Sequence, residues 1–201
     1  MTEVRSNPPK TLDTPENMHR GIALVLLPGY GSQQTTIDQN EPKGLINSPH
    51  VDRGFVVATV LGWLHQAGLD VKRMAPAFRL CVWPETWESQ SLHGPQMVNA
   101  LVKQSEAFIE EMNDTQPALI VLVSCYLHDA LLVPEIENAL EPALGKPLMP
   151  PTRLCNTRLR AQAQRWERAL VISLPIPSQR TTPAFVEALT NELKHWLNQD
   201  G

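Results

Sequence analysis

Three stretches of this 201-residue chain carry residue types that could do chemistry. The first is Pro28-Gly29-Tyr30-Gly31-Ser32-Gln33-Gln34, with Asp38, Asn47 and His50 downstream. Gly29 and Gly31 let the backbone come close to a ligand. The segment reads either as a tight turn leaving a strand or as a backbone-lined pocket. It is not a P-loop, because no Gly-Lys-Ser/Thr follows, and it is not a complete G-x-G-x-x-G dinucleotide fingerprint.

The second stretch is Ser124-Cys125-Tyr126-Leu127-His128-Asp129. An α/β-hydrolase places its serine in a G-x-S-x-G elbow, but Ser124 is flanked by Val123 and Cys125. We read His128 as hydrogen-bonding a strand end. The third stretch, 153–168, holds Arg153, Arg158, Arg160, Arg165 and Arg168 against a single acid, Glu167. It reads either as a solvated helix face or as a phosphate-contacting surface, with Trp166 there to stack or to pack. Glu106 to Asp114 holds four acids and no base, so that helix is expected to face away from nucleic acid.

Other chemistries are disfavoured. The six histidines show no i, i+4 pair, so no metal site is expected. Cys81, Cys125 and Cys155 form no C-x-x-C, which points away from a disulfide framework and towards a reducing cytoplasm.

Stepping outward to the elements, Ile22–Leu27, Ala118–Ser124 and Ala169–Leu174 are uninterrupted apolar runs, the pattern of strands buried on both faces. Ala77–Val82 predicts a fourth strand. Between them, Phe55, Val56, Val60, Trp63, Leu64 and Ala67 recur at helical spacing, closed by Gly68. Val98 to Met112 gives a second apolar stripe. Phe185 to Leu197 gives a third, opened by Thr182 at the N-cap and Pro183 at N1. Strands alternating with helices predict an α/β fold: a three-layer α/β/α sandwich around a short, mostly parallel four-stranded sheet. Residues 1–20 are polar and read as a mobile N-terminal tail, with a single domain over 21–201.

Composition agrees with one soluble domain: 42% hydrophobic, mean hydropathy −0.21 and formal charge −4. No global basic field advertises nucleic acid. The runs Ala23–Leu27 and Ala118–Val123 fall far short of the ~20 residues that span a bilayer, so no membrane association is expected.

The order of landmarks resembles the uracil-DNA glycosylase superfamily. The residues that carry it are Leu26-Leu27-Pro28-Gly29, Arg53-Gly54 through Leu61, Leu64, Ala67 and Gly68, then Leu80-Cys81-Val82-Trp83-Pro84. Gln116-Pro117-Ala118-Leu119-Ile120-Val121 and Leu174-Pro175-Ile176-Pro177-Ser178-Gln179-Arg180 complete the series. Each motif is weak alone, and together they span about residues 22–198. The resemblance implies a protein that binds DNA with a base turned out of the stack, and hydrolysis of an N-glycosidic bond if it is an enzyme. Substrate contacts would come from Pro28, Gly29, Gly31, Asn47, Ile176 and Ser178, and DNA backbone contacts from Arg158, Arg160 and Arg180. Asp38 and Gln33 are the nearest groups to act on water. The family's anion-stabilising histidine corresponds here to Ile176, and its water-orienting polar residue to Leu26 or Leu27. The alternative is a non-catalytic subunit or adaptor of the same fold, with a protein partner in a replication or repair assembly. In either case the loops after the first and last strands are expected to follow adjacent strands and to form two walls of one cleft.

Overall fold

The structure, a computed structural model, describes residues 20–27, 53–70, 78–84, 94–155, 157–178 and 180–198. Four parallel strands form its centre: β1 (Ile22–Leu26), β2 (Phe78–Val82), β3 (Leu119–Val123) and β6 (Leu170–Leu174). Two more, β4 (Thr152–Arg153) and β5 (Gln162–Arg165), extend the sheet antiparallel beyond β6. The order is β2-β1-β3-β6-β5-β4. The expected parallel centre is present, but among the described residues the sheet has six strands and is mixed. In the segment read above as a helix face, Gln162–Arg165 instead pairs with β6, with Ala163 turned into the core. Its polar side chains give no apolar run by which a strand could be recognised.

All five residues of β1, β3 and β6 are buried, which explains their unbroken apolar character. Alternate residues enter two different cores, as the two-residue period of a strand requires. Ile22, Leu24 and Leu26 pack with Val56, Val60, Trp63 and Leu64 of α1 (Arg53–Gln66) and with Phe185, Leu189 and Leu193 of α6 (Pro183–Asn198). Ala23, Val25 and Leu27 face the other layer. That layer holds α2 (Pro95–Lys103), α3 (Glu106–Thr115), α4 (Cys125–Leu131) and α5 (Pro134–Leu144). The architecture is therefore an α/β sandwich with helices on both faces. Truncating a fully buried residue such as Leu24 is worth about 2–5 kcal/mol.

Local chemistry sets the helix ends. Gly68, at φ +95°, closes α1, with its N–H on the His65 carbonyl at 2.9 Å and Leu69 N–H on Leu64 at 3.0 Å. Only a glycine takes that conformation cheaply. Thr182 Oγ1 accepts from Phe185 N–H at 3.3 Å, as the N-cap reading of α6 expects. The stripe from Val98 to Met112 divides into two helices at Gln104-Ser105, where Ser105 Oγ donates to the Val102 carbonyl at 2.9 Å. A serine that bonds its own backbone favours a new helix start over continuation. The sequence reading missed α4 and α5. One has only seven residues, and the other contains Pro142.

Candidate functional site at the carboxyl end of the sheet

In open α/β sheets, ligands gather beyond the carboxyl ends of the parallel strands. Here those ends lie level, since Leu26 is paired with both Val82 and Val123, and Val123 with Leu174. β3 lies between β1 and β6. The expectation that the two loops follow adjacent strands is therefore corrected: their starting points are two strand spacings, ~10 Å, apart. Pro28, Gly29, Gly31, Gln33, Asp38 and Asn47 lie outside the described residues.

Beyond β2, Trp83 is buried in the core that α2 and α3 share. Its indole stacks on Phe108 with centroids 4.2 Å apart, and Nε1 donates to the Leu101 carbonyl at 3.0 Å. Both Leu26 and Leu27 are buried, one in each core.

Beyond β3, Ser124 caps α4, its Oγ accepting from Tyr126 N–H at 3.2 Å. His128 follows in the same short helix and is fully buried. Neither ring nitrogen has a hydrogen-bond partner. This corrects the sequence reading: the strand end is bonded by Ser173 Oγ, which donates to the Ser124 carbonyl at 3.4 Å. Burial pushes the His128 pKa down to about 4, so the imidazole is neutral. Burial likewise pushes the Cys125 thiol up, which keeps it protonated and poorly nucleophilic.

Beyond β6, Ile176 is half-buried against the α1–α6 core. Ser178 bonds within its own turn: Oγ accepts from Arg180 N–H at 3.2 Å, and Ser178 N–H donates to Thr181 Oγ1 at 3.1 Å. The Arg180 side chain is exposed on that turn.

β5 runs antiparallel to β6, with Gln162 opposite Ser173. That register brings the loop entering β5, with Arg158 and Arg160, to the same end of the sheet. The arginines of 153–168 do not form one face. Arg160 pairs with Asp129 of α4 at 2.5 Å. Arg165 donates to the Trp196 carbonyl at 2.9 Å, and Arg168 to the Glu141 and Pro142 carbonyls that end α5. Arg153 donates to the Thr157 carbonyl. Trp166 is buried and donates to Gln164 Oε1, so it packs and is not displayed for stacking. Arg158 is exposed. Asp129 is the residue that sequence reasoning missed as a partner, because it lies 31 positions from Arg160 and no local pattern links them.

Among the described residues no group of His, Cys, Asp or Glu is placed to hold a metal ion. No described helix is long and apolar enough to cross a membrane. Compared with known proteins, the chain matches no family model and no curated protein sequence.

Proposed function

We propose that this chain is a uracil-DNA glycosylase-like protein that binds DNA at the carboxyl end of its sheet and releases no base. Ile176 carries the reading. The resemblance assigns to this position the histidine that steadies the departing base anion, and an isoleucine packed on the core cannot donate a hydrogen bond. Losing one such donor lowers a rate by ~10²–10³. Leu26 and Leu27, buried where the family carries its water-orienting group, point the same way.

In this reading Arg158 and Arg180, exposed at the same end of the sheet, neutralise backbone phosphates and set register without reading sequence. The resemblance assigns contacts with a turned-out base to Pro28, Gly29, Gly31, Asn47, Ile176 and Ser178. Gln33 and Asp38 are the candidates that the resemblance leaves to act on water. No cofactor is required.

A second reading, an adaptor subunit of a replication or repair assembly, is favoured by Leu148 and Met149. They are 56% and 40% exposed on a segment tied to β5 through Leu148 N–H and the Arg165 carbonyl. Single- and double-stranded oligonucleotides carrying uracil, hypoxanthine or xanthine distinguish these readings. The proposal expects salt-dependent binding with no base released. Base release overturns it, and neither binding nor release favours the adaptor.

A further inference from the structure

Arg160 meets Asp129 through both arms of its guanidinium. Nη2 donates to Oδ1 at 2.5 Å and Nη1 to Oδ2 at 2.8 Å, while Nε donates to Gln162 Oε1 at 3.0 Å. This is the two-pronged geometry by which arginine takes either a carboxylate or a phosphate. The pair is open to solutes: 43% of the Arg160 side chain and 30% of the Asp129 side chain are exposed. Ion pairs this exposed resist exchange weakly. His128 beside Asp129 is buried and neutral, so it offers no competing cation. Arg158, two residues before Arg160, is exposed on the same loop. A released Arg160 would therefore extend a track of positive charge that Arg158 begins.

We infer that Asp129 occupies the phosphate seat of Arg160 and masks this arginine until a nucleic-acid phosphodiester displaces the carboxylate. The inference rests on the reading that the carboxyl end of the sheet takes nucleic acid. Binding then proceeds by exchange of one oxyanion for another on a fixed guanidinium, with no covalent step. In the unliganded protein Arg160 is thus withheld from phosphate by its pairing with Asp129.

The test is the affinity of a fluorescent single-stranded oligonucleotide as a function of salt, for the intact chain and for Asp129→Asn. Removing the mask is expected to tighten binding while the log–log salt slope stays the same, because the phosphodiester reaches Arg160 in both complexes; Arg160→Ala makes the slope shallower by about 0.7, the value of one phosphate contact on a single strand. Arg160→Ala in the same background abolishes the gain. Asp114→Asn, at the opposite end of the sheet, changes net charge equally and leaves the affinity unmoved. Binding by both proteins with equal affinity overturns the mask and leaves the nucleic-acid reading standing. Binding by Asp129→Asn alone supports the mask and overturns the reading that the unaltered chain binds. Binding by neither overturns both, and an equal gain in Asp114→Asn reduces the effect to net charge. A second measurement needs no substitution: oligonucleotide added to the wild-type protein must shift the Arg160 Nε–H resonance, and a resonance that stays in place contradicts the exchange.

Discussion

Ser173 donates its hydroxyl to the carbonyl of Ser124, 3.4 Å away, joining β6 to the point where β3 becomes α4. Both residues are buried, at 0% and 3% exposure. Two neighbouring strand ends are thus tied at the place where the candidate site begins. A small hydroxyl is used where the other residues of β6 are apolar.

Ser173→Ala removes that donor and leaves the cavity nearly unchanged. It should cost about 1 kcal/mol, read as a lower urea midpoint with the same slope. An unchanged midpoint would mean that the contact contributes nothing.

His128 makes stability depend on pH. Its folded pKa is about 4, below the usual 6.5. The neutral ring's stability is therefore fully present above about pH 6.5 and is lost as pH falls from there towards 4, because the unfolded chain takes up the proton first. The loss should reach about 3 kcal/mol. His128→Leu should remove this pH dependence and stabilise the protein more at about pH 5 than at about pH 8. Parallel pH profiles for the two proteins, followed by thermal melting, would refute it.

Gly145 sits at φ +75°, ψ −163°, and a Cβ there would meet Glu167 Cβ and Oε2 at 2.6 Å. The backbone term alone is of order 1–3 kcal/mol. Gly145→Ala should exceed it, because Glu167 must also leave the Lys146 N–H it now accepts from. Adding Glu167→Ala should recover only the part due to the carboxylate, because the alanine keeps the Cβ that the new methyl meets. Chemical denaturation of the single and double variants separates the two, and equal losses would show that the contact is harmless.

How far the fold could be read from the sequence depended on burial. Ile22–Leu26, Leu119–Val123 and Leu170–Leu174 are wholly buried, so their composition announces them. Gln162–Arg165 lies towards the edge and buries the polar Gln164 at 3% exposure, so nothing in QAQR signals a strand. The site was less legible still. His128 was recognisable as a residue beyond a central strand, but its lack of any partner depends on what packs around α4. The Asp129–Arg160 pair joins distant segments, and only the antiparallel register of β5 on β6 brings them together.

The central claim is that the carboxyl end of the sheet grips DNA through exposed arginines without excising a base. The most direct measurement is the salt dependence of binding to a uracil-containing duplex, for the wild-type chain and for Arg158→Ala/Arg180→Ala, with the strand then checked for abasic sites. The account predicts a log–log slope shallower by about 1.8 in the double variant, from two lost phosphate contacts, and no abasic product from either protein. Equal slopes, or abasic sites made by the wild-type chain, would contradict it.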